Sequence, residues 1–190
     1  MGQLIMYHLM DAFVEHPMPE GFFVRKFRKG EEAVWIEINK CGIFGPDAGM
    51  EGWESMVVKM NGLVPERDIL FATLADDIPV ATLTAFVRDD GLGEIHMVSA
   101  KESVRGHGIG KALLAIGMKM LREAAPPPSI TRLSTDDWRL PAIKGYLDAG
   151  FHPVNVSEDM PDRWRKVCAA LGIHGVEMLD TGGKGTGIRM

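Results

Sequence analysis

Hydrophobic positions fall into blocks of period two and period 3.6, and most block edges carry glycine, proline or paired aspartates. Residues 22–28 set Phe23, Arg25 and Phe27 against Val24, Lys26 and Arg28, which predicts a strand. A helix follows from Glu31, with acids in its first turn where the macrodipole favours them. It carries Val34, Ile38 and Cys41 on one face and ends near Gly42. Residues 45–52 read as loop. Trp53, Met56, Val57 and Met60 have helical spacing until Asn61-Gly62 stops them. Residues 68–75, 79–87 and 93–100 predict a three-strand meander, turned at Asp76-Asp77 and at Asp89-Asp90-Gly91. Ile109, Ala112, Leu113, Ile116 and Met120 then form one apolar helical face, ended by three prolines at 126–128. A strand over 130–135, a helix over 141–149 capped by Gly150, a strand over 151–156 and a helix over 162–171 complete the series.

The ends read differently. Tyr7 to Val14 suggests a short helix, and Pro17 and Pro19 break the chain after it. Residues 181–187 hold four glycines and predict a flexible tail. The expected organisation is an N-terminal extension over 1–20, one domain over 21–156, and a C-terminal helix with a glycine-rich tail over 157–190. Strands and helices partly alternate, so the expected fold is α/β (α+β), with a mixed, largely antiparallel central sheet flanked by helices.

Composition narrows the class. At 190 residues and 46% hydrophobic, the chain buries roughly 70% of its unfolded surface and is not disordered. A net charge of −5 lacks the basic footprint of a nucleic-acid binder. No apolar run reaches the length of a membrane span. Cys41 and Cys168 are the only cysteines and lie in no metal-binding or redox spacing, which suggests a reduced, cytoplasmic compartment. The six histidines form no ligand pair, so no metal is expected.

The chemistry concentrates in Arg105-Gly106-His107-Gly108-Ile109-Gly110-Lys111, between a strand and an amphipathic helix. Glycines let the backbone turn sharply and approach a ligand, and the unpaired N–H groups of a helix's first turn favour an anion. The dinucleotide fingerprint fails because Lys111 takes its last glycine position. The nucleotide P-loop fails because Arg105 takes its first glycine and Ala112 replaces its hydroxyl.

The pattern instead resembles the pyrophosphate-binding signature of the GNAT superfamily of N-acetyltransferases, R-G-x-G-I-G followed by a small residue and Leu-Leu, here Arg105 to Leu114. A second motif agrees with that family: Ala142, then Tyr146, then Gly150-Phe151 opening a strand. The resemblance covers residues 22–156. Asn three residues before the alanine is replaced here by Arg139, with Asp136 or Asp137 available to cap the helix. It implies acetyl-CoA as co-substrate, with Arg105, Gly106, His107, Gly108, Ile109, Gly110 and Lys111 around the pyrophosphate. It also implies that the strand before the cradle splays from its neighbour. Its backbone near Val98, Ser99 and Ala100 would then hold the pantetheine arm and polarise the thioester carbonyl, the kind of donor worth about 3 kcal/mol in a transition state.

On that strand Glu94, His96 and Val98 share one face, and Ile95 and Met97 the other. An amine acceptor arrives protonated, so Glu94 or His96 is a candidate to take its proton, directly or through water. Tyr146 matches the family residue that assists the departing thiolate. The expected activity is acetyl transfer to a primary amine, of a small molecule or a peptide, by direct transfer in a ternary complex. A non-catalytic acyl-CoA-binding or regulatory module is the alternative. The acceptor is unreadable, and a homodimer contact through the chain ends stays open.

Overall fold

A computed structural model describes residues 2–12 and 14–190. In chain order its elements are β1 (Leu4–His8), β2 (Phe23–Lys26), α1 (Glu32–Lys40), α2 (Met50–Trp53) running into a π-helical turn (Glu54–Val58), α3 (Pro65–Asp68), β3 (Ile69–Thr73), β4 (Pro79–Val87), β5 (Gly93–Ala100), a 3₁₀ turn (Glu102–Val104), α4 (Ile109–Arg122), β6 (Thr131–Thr135), α5 (Leu140–Asp148), β7 (His152–Pro153), α6 (Met160–Leu171), β8 (Glu177–Leu179) and β9 (Gly185–Arg189). They divide into two compact units, one over Val14–Pro128 and one made of Met1–Phe13 with Ser129–Met190.

In the first unit β2, β3, β4 and β5 pair antiparallel in that order, the meander expected from the turns. One face is covered by α1, α2 and the π-helical turn. There Trp53 stacks on Phe27 at 5.1 Å and meets Trp35 edge-on at 5.2 Å, over Ile69 and Phe71. The other face takes α4, whose apolar stripe Ile109, Ala112, Leu113, Leu121 is buried as its periodicity predicts. Gly117 lets α4 come close, since a Cβ there would lie 2.7 Å from Leu83 Cδ2 and 3.3 Å from Ala85 and Ile95. Gly117→Val should therefore overpack this seam and cost about 1–3 kcal/mol. A denaturant melt would show it as a lowered midpoint; an unchanged midpoint would mean that the seam yields.

The second unit corrects several expectations. Leu4–His8 is a strand, not part of a helix over 7–14 (residue 13 of that stretch lies outside the described residues). It pairs antiparallel with β6 from Leu4↔Thr135 to His8↔Thr131, and with β7 through Met6↔Pro153 and Tyr7↔His152. Four of its five residues are buried, so it shows no period-two alternation for a sequence reading to find. Residues 1–20 thus contribute a paired strand to this unit. The glycine-rich end forms the β8–β9 hairpin, joined to residues 151–156 by the Val154↔Leu179 bridge and by the Asn155 N–H donating to Leu179 O at 2.8 Å. The strand expected over 151–156 shortens to His152–Pro153. The 162–171 helix starts two residues earlier, at Met160. Arg163, almost wholly buried on α6, binds Asp137 with Nε at 3.0 Å and Nη2 at 2.5 Å and also donates to Gly2 O at 2.9 Å. Its hydrogen bonds hold the Asp137 carboxyl below its ordinary range.

Candidate active site

The loop from Arg105 to Lys111 enters α4 through two left-handed glycines, Gly106 (φ 80) and Gly108 (φ 83), the latter at the N-cap. L side chains seldom take this conformation, which explains glycine at both positions. Gly110 is different. Its φ is not positive, and a Cβ there would meet nothing within 4 Å. Open space therefore lies over the first turn of α4. That turn has no side-chain cap and no acidic residue, and it carries Lys111. Helix N-termini normally recruit Asp, Glu, Ser or Thr. A cationic, uncapped N-terminus is stabilised by an external anion, and a pyrophosphate fits that demand.

Arg105, expected beside the pyrophosphate, also makes contacts within the protein. Its Nε donates to Ala100 O at 3.3 Å, its Nη2 to Cys41 O, and its Nη1 reaches Glu102 Oε1 at 3.5 Å. The guanidinium thus ties the cradle to the end of β5 and to the turn after α1. His107 is exposed, with Nδ1 at 3.0 Å from Arg105 O and its ring 6.1 Å from Phe22.

The strand before the cradle is bulged. Thr82 faces Ser99 and Thr84 faces His96, so Met97 and Val98 together oppose Leu83. Met97 takes φ 51, a left-handed backbone that side chains of this size rarely accept. The bulge cancels strict alternation. Ile95 faces α4 against Gly117, whereas Met97 joins the Trp35–Trp53 cluster on the opposite face. The expected pairing of Ile95 with Met97 on one face is therefore wrong. His96 and Ser99 point to the Met97 side, with Ser99 Oγ donating to Ile38 O at 2.9 Å. Strain at the bulge re-aims the backbone of Val98, Ser99 and Ala100 just ahead of the cradle.

Glu94 and His96 lie on one face, as expected. Glu94 is almost wholly buried and pairs with Arg88 Nη1 at 3.2 Å, so it is not a solvated edge residue. Arg88 also reaches Asp90 at 3.1 Å. Burial opposes the Arg88 charge, but Asp90 and Glu94 together hold it above its ordinary value. His96 Nε2 lies 3.1 Å from Met56 O. A carbonyl only accepts, so Nε2 carries a proton and donates it to Met56 O. Met56 belongs to the π-helical turn. The π turn, the bulge and Arg88 were not found from sequence. A π turn and a left-handed Met have no compositional mark, and Arg88 looks like any charge beside a turn.

Tyr146 sits on α5 in the second unit, its ring 6.1 Å from Phe151. Burial pushes its phenol up to about 12, against the pull of the Arg139 charge. Neither aspartate caps α5: Asp136 pairs with Arg139 at 2.9 Å and Asp137 with Arg163, and Arg139 itself is the N-cap residue. The Gly182–Thr186 stretch resembles a phosphate loop only in composition. The Asp180 carboxylate accepts from the N–H groups of Gly182 at 2.8 Å and Lys184 at 2.9 Å, the donors a phosphate would need. Cys168 is buried on α6, and burial raises its thiol pKa. Cys41 follows α1 in the turn that Arg105 holds. No helix among the described residues is long and apolar enough to cross a membrane.

Antiparallel sheets flanked by helices, with a bulged strand ahead of a cationic helix N-terminus, make this an α/β protein with a candidate anion-binding cradle. The Acetyltransferase (GNAT) family pattern matches residues 45–151, and the chain belongs to that family. It is 30% identical over 141 residues to a mycothiol acetyltransferase of Streptomyces bingchenggensis, covering 72% of this chain and 45% of the relative. A protein of the same name from Thermomonospora curvata is 28% identical over 141 residues, covering 72% and 46%. The chain thus spans under half the length of these curated relatives. Among solved structures, a GCN5-related N-acetyltransferase from Sphaerobacter thermophilus is similar with a TM-score of 0.62 and 26% identity, over 80% of this chain and 49% of that one. One from Kribbella flavida, at TM-score 0.56 and 17% identity over 80% and 55%, shares the fold.

Proposed function

We propose that the chain transfers an acetyl group from acetyl-CoA to a primary amine by direct attack within a ternary complex, in a reduced, cytoplasmic setting. The observation that carries this reading is the first turn of α4: uncapped, cationic at Lys111, and open above Gly110. The names of the family and of the relatives support acetyl over other acyl groups. Bound acetyl-CoA supplies an activated thioester. The N–H groups of Ile109, Gly110 and Lys111 hold its pyrophosphate, and Arg105 keeps the loop in register. The backbone of Val98, Ser99 and Ala100, re-aimed by the bulge, binds the arm and donates to the thioester carbonyl.

Deprotonating the amine falls to His96. A proton placed on Glu94 would break its pair with Arg88 in a buried setting, which is costly. Protonation of His96 leaves Nε2 donating to Met56 O, and the Glu94 carboxylate on the same face favours the resulting cation. Tyr146 serves as a hydrogen-bond donor to the departing sulfur. With its phenol at about 12 and an ordinary thiol near 8.5, full proton transfer would be about 5 kcal/mol uphill.

Calorimetric titration with acetyl-CoA tests the proposal, with dephospho-CoA and NAD as controls. Micromolar binding of acetyl-CoA but not NAD is expected; no binding would end the acetyl-transfer reading. Direct transfer further predicts that Cys41→Ser keeps turnover within about twofold, since no acyl-cysteine forms. Loss of burst and turnover together would instead point to a covalent route.

A further inference from the structure

We infer that His8 is a positioning residue for Tyr146, holding the C-terminal turn of α5 and, through Phe151, the tyrosine ring. His8 is fully buried on β1, a strand fixed on both sides by β6 and β7. The Met10 N–H donates to its Nδ1 at 3.0 Å, which sets the ring plane and puts the imidazole proton on Nε2. That edge faces the end of α5. A Cβ on Gly150 would lie 3.1 Å from His8 Nε2, and Gly150 also has φ 90, so glycine here answers both a backbone need and the approach of the histidine. The His8 ring meets Phe151 edge-on at 5.3 Å, and Phe151 in turn lies 6.1 Å from Tyr146. The Tyr146 carbonyl accepts from the N–H groups of Ala149 at 3.1 Å and Phe151 at 3.0 Å, so backbone and rings move together. Burial keeps the imidazole neutral, with the Asp11 charge opposing. An apolar ring would fill this space but could not accept from Met10.

The inference rests on the role given to Tyr146 above, yet its test needs no turnover. The protein has two tyrosines, so ¹³C-tyrosine labelling gives two signals, assigned with Tyr146→Phe. His8→Asn retains an acceptor for Met10 but loses the ring. It should shift and broaden the Tyr146 signal and lower the pH at which the phenol ionises. Melting should stay cooperative at a lowered midpoint, and acetyl-CoA affinity should stay near wild type. Phe151→Leu should disturb Tyr146 in the same way, and the double variant should add little further. An unmoved Tyr146 signal in folded His8→Asn protein overturns the inference. Should that variant not fold, an unmoved signal in Phe151→Leu does so. Absence of acetyl-CoA binding to the wild type would end the acetyl-transfer reading while leaving the ring contact measurable; an unmoved signal with binding intact ends only the role of His8.

Discussion

Gly110→Asp is expected to weaken acetyl-CoA binding at least a hundredfold while leaving the melting temperature equal or higher. The two effects have separate causes. Gly110 lies in the first turn of α4 with ordinary φ, and its Cβ direction is open, so a side chain there meets no protein atom. Aspartate exceeds glycine in helix propensity by only about a few tenths of a kcal/mol. A carboxylate in an uncapped first turn gains about 0.3–1 kcal/mol more from the macrodipole. The same carboxylate occupies the space where a pyrophosphate would sit, and juxtaposed like charges cost several kcal/mol. A hundredfold loss corresponds to about 2.7 kcal/mol, within that range. Gly110→Asn adds similar bulk without charge and should lose less, which separates steric from electrostatic exclusion. Titration calorimetry and thermal melting on the three proteins decide the matter. Unaltered affinity in Gly110→Asp would show that the anion does not bind at this turn.

The cradle was legible because its requirements are local. Positive φ at Gly106 and Gly108, an apolar stripe from Ile109 to Leu121 and a terminating proline run each depend on a few neighbouring residues. The meander was legible because the Asp76-Asp77 and Asp89-Asp90-Gly91 turns carry their own chemistry. Asp77 has φ 64 and anchors Arg25 at 2.6 Å and Arg28 at 2.5 Å, and Asp90 accepts from the Leu92 N–H at 3.1 Å. What stayed hidden depends on partners far along the chain. β1 is buried at four of its five positions and pairs with strands more than a hundred residues away, so its local pattern matched no single period. The β8–β9 hairpin stands on glycines that read as flexibility until the Asp180 carboxylate is seen gathering their N–H groups. The bulge at Met97 is paired to Leu83 and packed under Trp35 and Trp53, and nothing in residues 93–100 announces it. Glu94 and His96 were visible as a pair, but Arg88 and the Met56 carbonyl, which distinguish their chemistry, were not.

That distinction predicts unequal losses. His96→Gln should reduce turnover about 10²–10⁴-fold, the usual contribution of a positioned general base. The glutamine amide can still donate to Met56 O, so folding and the KM for acetyl-CoA should hold. Glu94→Gln should cost only about tenfold, or ~1.4 kcal/mol of barrier, because it removes a charge that favours the imidazolium and not the group that takes the proton. The pH profile gives an independent sign. A base works only while unprotonated, so the wild-type rate should fall on the acid side of its pH profile. In His96→Gln that acid limb should vanish, leaving a slow rate set by the fraction of free amine. In Glu94→Gln the limb should move to lower pH, since an imidazole that loses a neighbouring carboxylate binds its proton less tightly. The measurement is kcat against pH by thiol release, with an amine found by screening. If Glu94→Gln takes the larger loss and abolishes the acid limb, the proton goes to Glu94, and the pair with Arg88 must open during each turnover.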